Sequence, residues 1–296
     1  FFTNPKVGAL TTDEAVSIPQ PGLFRDWFEL RFDQRQMMMC SMGLGNRVLT
    51  LTGRMSVFRA DLATTPDFIN LVQYDHIDHW RLGHVKFLTG DDKSTWFWLM
   101  KNGYEMAYLP DVRSSSMETQ PKPTFVGSAA ALMVRWFGNM LRTNGRALEL
   151  SPRQIGLFTW WSIFDQRLSI WSTLAGPLSV IVAAVFFDPL VLPIYVAWVM
   201  FTRYVFCWII CGFRGRTFPI SYPFLLYFSQ LFGACVKSFV FFRLDRQKWT
   251  RQAAGTGTGA APVALGRRMA AMGSAYLHFL ALGWLTVVVL FLTGVL

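Results

Sequence analysis

The sequence predicts an α/β domain on the cytoplasmic side, then amphipathic helices at a membrane surface, then about three membrane-spanning helices. Three observations carry this. Hydrophobic residues make up 52% of the 296 positions and charged residues only 16%, well short of the roughly 25% charged in soluble domains. Short apolar runs broken by Gly and Pro fill residues 1–120, whereas later runs reach the roughly twenty residues that cross a bilayer. Finally, Lys and Arg outnumber Asp and Glu by 28 to 18, a net charge of +10, and much of that excess flanks the apolar runs. Charge placed there suits anionic lipid or an anionic substrate better than nucleic acid, for which no binding motif is present. The four cysteines, Cys40, Cys207, Cys211 and Cys235, have neither disulfide nor zinc spacing and read as small hydrophobes.

The chain opens with Phe1-Phe2-Thr3-Asn4-Pro5, which lacks an initiator Met or a leader and reads as a loop entering a strand at Val7 to Leu10. On this reading the sequence begins in mid-domain. A polar loop through Pro19-Gln20-Pro21-Gly22 leads to an aromatic, mixed-charge helix from Leu23 to Met39. Val48 to Leu51 fits a buried strand ended by Thr52-Gly53. A glycine there lets backbone approach a ligand closely, or marks a β-bulge. Gly43-x-Gly45 lacks the rest of a dinucleotide loop and is a turn. Pro66 to Gly83 reads as a polar helix, in which His76 and His79 share a face among carboxylates; that pattern fits either a metal site or a solvated surface.

Two adjacent carboxylates stand out in Thr89-Gly90-Asp91-Asp92-Lys93, between an apolar run and an aromatic helix from Trp96 to Lys101. Like charges at a turn raise each other's cost of ionisation, which suits a general base and an assisting carboxylate; the same pair also makes an ordinary helix cap. A strand from Met106 to Leu109 closes at Pro110-Asp111, and Arg113-Ser114-Ser115-Ser116 reads as a loop.

The second half is organised by the membrane. Phe125 to Leu148 carries apolar residues at helical spacing with Arg135, Arg142 and Arg146 between them, an interfacial amphipathic helix. A second such helix, Arg153 to Ile170, holds Trp160 and Trp161. Leu168 to Phe187 and Leu190 to Cys211 are spans broken by Asp188-Pro189; Arg203 in the second either lines a passage or snorkels. Phe218 to Val236 is long enough to span, but basic residues flank both ends. The positive-inside rule then makes 218–242 an interface helix. Ala253 to Pro262 is a flexible link, and Met269 to Leu296 the last span. The organisation predicted is therefore 1–120 α/β domain, 121–167 interface helices, 168–212 two spans, 218–242 interface helix, 243–268 loop and linker, and 269–296 last span.

The acidic turn, the strand-Gly turn, the Arg-Trp helix and the following spans together resemble the processive family 2 glycosyltransferases, the group of cellulose, hyaluronan and chitin synthases. The resemblance implies a GT-A-type fold, of which the C-terminal part is present, and an inverting transferase. In that family a Thr-Glu-Asp or Gly-Asp-Asp turn supplies the base, which makes Asp92 the base here, with Asp91 and Gly90 beside it. The family's Gln-x-x-Arg-Trp motif, which binds donor diphosphate and acceptor sugar, corresponds to Leu132-Met133-Val134-Arg135-Trp136, with Leu in place of Gln; Gln166-Arg167 has the wrong spacing. Leu51 to Arg59, with Thr52 and Gly53, is similar to the acceptor-lining segment. The stretch Asp245 to Arg251 looks like the loop that closes over bound nucleotide, so Trp249, Thr250 and Arg251 are implied donor contacts.

Arg35 to Gly43 and Asp75 to Gly83 narrow the resemblance to the alginate (mannuronan) synthase branch. That branch implies GDP-mannuronic acid and a growing polymannuronate as substrates and a multi-pass protein of the bacterial inner membrane. It further implies a cyclic di-GMP-sensing co-polymerase subunit and an export complex as partners. Mg²⁺ or Mn²⁺ is implied too, although the family's Asp-x-Asp metal motif is absent from these residues. Two other readings remain: a synthase of hyaluronan, chitin or cellulose type on the same fold, and a non-catalytic membrane scaffold or channel subunit.

Overall fold

The computed structural model describes residues 1–87, 91–247 and 265–296. In chain order its elements are β1 (Val7–Ser17), α1 (Leu23–Gly43), β2 (Ser56–Phe58), α2 (Ala60–Ala63), α3 (Pro66–Gln73), β3 (His76–His79), β4 (Gly83–Lys86), α4 (Asp91–Lys101), β5 (Glu105–Met117), α5 (Phe125–Leu148), α6 (Pro152–Ile155), α7 (Leu157–Phe186), α8 (Val191–Phe213), α9 (Ser221–Phe241) and α10 (Leu265–Leu292).

At the centre lies β1, antiparallel to β2 and parallel to β5, in a sheet of order β2-β1-β5. Val7, Ala9 and Leu10 of β1 are buried, which the apolar start of the strand predicts. The strand then continues through Asp13 and Glu14, which polarity alone had assigned to a loop; both are 3% exposed and both are held by arginines. A buried carboxylate is tolerated where it is paired, and both partners lie far away in sequence.

Its parallel partner β5 likewise overruns the expected stop at Pro110. Leu109 pairs with Thr12 and Arg113 with Asp13, so Pro110 falls in a register shift where no ladder N–H is needed, and Arg113 to Ser116 pair on as strand rather than loop. By contrast Val48 to Leu51, expected as a strand, is buried coil joined to the sheet by one bridge, Arg47 to Met106. The helix expected over 66–83 stops at Gln73; a hairpin of β3 and β4 follows, so His76 and His79 fall on opposite faces of a strand instead of one face of a helix.

Residues Phe125–Leu148 form the amphipathic helix that their periodicity predicts, capped by the Thr124 hydroxyl, which accepts from Gly127 N–H. Its buried stripe, including Leu132, Met133, Phe137 and Leu141, joins Trp27 and Phe28 of α1 and Leu225 and Leu226 of α9 in one core. The separate helices expected at 153–170 and 168–187 are a single one, α7, preceded by the short α6.

Four helices among the described residues are long and apolar enough to cross a membrane, at Leu157–Phe186, Val191–Phe213, Ser221–Phe241 and Arg268–Leu292. Three of them bury little of their apolar surface against protein; α9 buries the most, packed on α1, α5, α7 and α8. Arg203 on α8 turns toward α9, where its Nε donates to Gln230 Oε1 at 2.6 Å.

Candidate active site

A cleft of about 410 Å³ opens where α1, the coil before β2, the start of α4 and the middle of α5 converge. Asp92, Arg135 and Trp136 all line it. Their sequence separation is large, and the fold closes it through local causes. Asp92 stands in the first turn of α4, where its Oδ1 accepts the backbone N–H of Lys93 at 2.9 Å. A carboxylate near a helix start is both favourably placed and held still. Arg135 and Trp136 lie on the half-buried flank of α5 because Leu132, Met133 and Phe137 take the buried stripe.

Gly53 lies beside Asp92: a Cβ built on it would sit 4.0 Å from Asp92 Cβ and Oδ2. Thr52 turns inward instead. Its N–H donates to Thr11 Oγ1 at 3.0 Å and its hydroxyl to Met55 O at 2.7 Å, so it holds the turn that presents Gly53. Gly90, Trp249, Thr250, Arg251 and the side chain of Asp91 lie outside the described residues. Leu132, at the position of the family's Gln, is 6% exposed and belongs to the core. Amides reach the cleft from elsewhere: Gln34, Asn139 and Gln166 line it, and Gln166 accepts from Asn144 Nδ2 at 2.7 Å. The spacing of Gln166 gave no reason to expect it there.

Arginines from α1 and from the coil before β2 dominate the remaining wall, and sequence reasoning missed them. Arg35 Nη1 meets Glu14 Oε2 at 2.5 Å, and Arg54 bridges Glu14 at 3.2 Å and Glu118 at 2.8 Å. Arg31 differs. Its guanidinium lies 4.8 Å from the ring centre of Trp136 and 5.5 Å from that of Trp27, and among the described residues no carboxylate pairs with it. Burial, with the like charge of Arg35, pulls its pKa down to about 10. Aromatic faces accept a guanidinium but do not neutralise it, so the floor of the cleft holds a cation with its charge unspent.

Lys93 also lines the cleft, its ammonium donating to Leu49 O at 2.7 Å and lying 4.7 Å from the Trp96 ring centre. Burial lowers its pKa to about 8, against the opposing pull of Asp92 and together with the charge of Arg35. A carboxylate beside cations, an aromatic wall and hydrogen-bonding amides is an arrangement that can hold a sugar and take a proton from its hydroxyl.

Comparison with known proteins supplies the family. Residues 1–139, which contain Asp92, Arg135 and Trp136, match the family described as glycosyltransferase like family 2. The chain belongs to glycosyltransferase family 2. It is 46% identical over 246 residues to the glycosyltransferase alg8 of Pseudomonas syringae pv. tomato (83% of this chain, 50% of that protein) and 49% identical over 224 residues to the glycosyltransferase alg8 of Azotobacter vinelandii (76% and 45%). The chain thus spans about half the length of the curated relatives it matches. Family 2 membership also brings the expectation of a divalent cation. Among the described residues, the one group able to hold a metal is His76, Asp78 and His84 on the β3–β4 hairpin, and none of the three lines the cleft. Two imidazoles and one carboxylate are not the oxygen set that Mg²⁺ prefers. The described residues therefore do not fit the expected catalytic cation.

Proposed function

We propose that this chain forms the acceptor side of the catalytic centre, and the membrane passage, of an inverting processive glycosyltransferase that builds polymannuronate from GDP-mannuronic acid. The observation that carries the choice of sugar is Arg31. A guanidinium with no carboxylate partner among the described residues, beside the Trp136 ring, suits a sugar that bears its own carboxylate; a neutral sugar would leave the charge unmet.

In this reading Trp136 offers the sugar ring an aromatic wall and Arg31 pairs with the uronate carboxylate. Asp92 accepts the proton of the acceptor 4-hydroxyl as that oxygen attacks the anomeric carbon of the donor from the face opposite the diphosphate. The new C–O bond forms as the bond to GDP breaks, and GDP leaves with the electron pair. Arg135 steadies the departing diphosphate. Asp92 returns its proton to water before the next cycle. Mg²⁺ or Mn²⁺ is the cation the family implies, and no step here is routed through it. The four apolar helices support a multi-pass protein of the bacterial inner membrane, with α9 lying at the cytoplasmic interface because basic residues flank both its ends. A cyclic di-GMP-sensing co-polymerase subunit and an export complex are the partners that go with such a synthase.

The test is a donor and acceptor comparison on the full-length protein in membranes. Polymer formed from GDP-mannuronic acid, and not from UDP-sugars, is expected, with carboxyl-reduced oligomers extended poorly. Efficient use of UDP-sugars would favour a synthase of hyaluronan, chitin or cellulose type, and no transfer from any donor would favour a scaffold role.

A further inference from the structure

The β3–β4 hairpin carries a constellation that the proposed reaction does not use. His76 and Asp78 are two apart on β3 and so share a face; His84, paired with Asp78 across the strands, faces the same way. Asp78 Oδ1 is 2.8 Å from His84 Nδ1, Asp78 Oδ2 is 3.7 Å from His76 Nε2, and one ligand atom from each of the three residues lies within 4.8 Å of the others. The two imidazole centres are 4.4 Å apart.

A second observation fixes how one ligand is presented. His76 Nδ1 is 3.0 Å from the carbonyl oxygen of Tyr74. A ring nitrogen facing a carbonyl oxygen carries the hydrogen, which leaves Nε2 as the lone-pair nitrogen on the side of Asp78. A backbone carbonyl that sets the tautomer in this way is the usual support of a metal-binding imidazole. His79 does not join the set, since it lies on the opposite face of β3 and its Nδ1 accepts the N–H groups of Arg81 and Leu82 at 3.1 and 3.2 Å.

We propose that His76, Asp78 and His84 form a binding site for a borderline transition-metal ion of the zinc, nickel or copper class, completed by water. Two imidazole nitrogens and one carboxylate favour these ions over Mg²⁺ and Ca²⁺, which select oxygen ligands. All three side chains are exposed, so a metal reaches them without opening the fold and a fourth position stays open to solvent. The site differs in donor chemistry from the cation expected of the family, and none of its three residues lines the cleft.

Its place in the fold gives it a consequence. Metal binding would staple two four-residue strands whose ends are tied to the rest of the protein. At the base, Asp75 takes a bidentate contact from Arg146 of α5 and a hydrogen bond from Ser94 of α4. At the tip, Arg81 donates to Ser274 Oγ and Ala270 O of α10 and to Phe242 O after α9. Gln247 donates to Lys86 O at 2.7 Å. A stiffened hairpin therefore braces the last helix against the helices that carry Asp92 and Arg135.

Zinc titration by calorimetry tests this on the full-length protein in detergent, stripped with chelator and kept in excess Mg²⁺ to occupy oxygen-only sites. The wild type is expected to take up one zinc ion per chain more than the His76→Ala/His84→Ala double variant, and each single His→Ala change should weaken that site at least about tenfold, the low end of what a lost supporting contact already costs a metal site. His79→Gln should leave zinc uptake unchanged. Copper-loaded wild type should show two-nitrogen coordination by electron paramagnetic resonance, absent in the double variant. Equal zinc uptake by wild type and double variant, or loss of uptake on His79→Gln, overturns the assignment. Should the double variant fold poorly by circular dichroism, Asp78→Asn and His84→Gln carry the same comparison, and unaltered zinc affinity in both overturns it.

Discussion

Asp13 and Glu14 sit side by side on β1, both 3% exposed, yet the two faces of the strand put them to different uses. Glu14 faces the cleft and holds Arg35 and Arg54 there. Asp13 faces the other way and meets Arg214, in the connection between α8 and α9, at 2.6 Å; Arg214 also reaches Asp33 at 3.0 Å, and Arg216 pairs with Asp33 as well. The Asp13 side is closed, its acids and Arg214 balancing one another nearly out of solvent. The cleft side is left open, and among the described residues Arg31 has no carboxylate partner there. One face of the strand therefore fastens the sheet to the membrane helices, while the other arranges charge for a ligand.

The cleft side breaks most completely at Asp92. Asp92→Asn in the full-length enzyme should abolish polymer formation, by at least the roughly 10²–10⁴-fold that a general base contributes, with helical content and membrane insertion unchanged. Substantial synthesis by this variant, measured with radiolabelled donor, would remove Asp92 as the base. On the closed side the largest loss is one of stability. Arg214→Ala leaves Asp13 with the exposed Arg113 as its guanidinium partner and Asp33 with Arg216, so the loss approaches, without exceeding, the about 3–5 kcal/mol of a broken buried pair. A fall in the thermal midpoint is expected, deeper than that of Arg113→Ala, whose guanidinium pairs with Asp13 from an exposed position. Equal effects of the two would mean that the closed side is no latch.

Arg31 sharpens the comparison, because among the described residues no carboxylate pairs with it. Arg31→Leu should weaken extension of polymannuronate oligomers by about 1.5–3 kcal/mol, the range of a charged hydrogen bond, while leaving extension of carboxyl-reduced oligomers nearly unchanged; Arg31→Lys should recover part of the difference. A purely structural Arg31 would lower both acceptors alike, and the ratio of the two kcat/KM values separates these outcomes.

How much of this the sequence disclosed depended on how far apart the partners lie. The amphipathic α5, the aromatic α4 behind its acidic turn and the apolar character of the later helices are written in local periodicity, although the boundary that merges 153–170 and 168–187 into α7 was not. Asp13 read as loop because a carboxylate in a strand makes sense only with its arginine, 201 residues away. Arg31 and Arg35 on α1 read as ordinary surface charge of a mixed helix for the same reason. His84 went unpaired with His76 because a helix was expected where the chain makes a hairpin, and only the strand period puts Asp78 and His84 opposite each other. Asp92, Arg135 and Trp136 were singled out together by family resemblance alone, and the cleft that joins them is a property of packing.

The smallest effect expected is one of pH, and it distinguishes the two sides by its sign. Lys93 has a folded pKa of about 8 because burial penalises its charge, whereas an unfolded lysine titrates near 10.4. Below about pH 8 both states carry the proton and the folded protein bears the full cost of the buried charge. Between about 8 and 10.4 the unfolded chain binds more protons than the folded one, so stability gains as pH rises. Synthesis should move the other way, since neutral Lys93 no longer supports an ionised Asp92 or an anionic sugar. The wild type is therefore expected to lose activity above about pH 8 while its thermal midpoint rises relative to Lys93→Met, and Lys93→Arg should carry the activity limb to higher pH. Activity and stability falling together through that window would place the titration on the closed side of β1 instead of in the cleft.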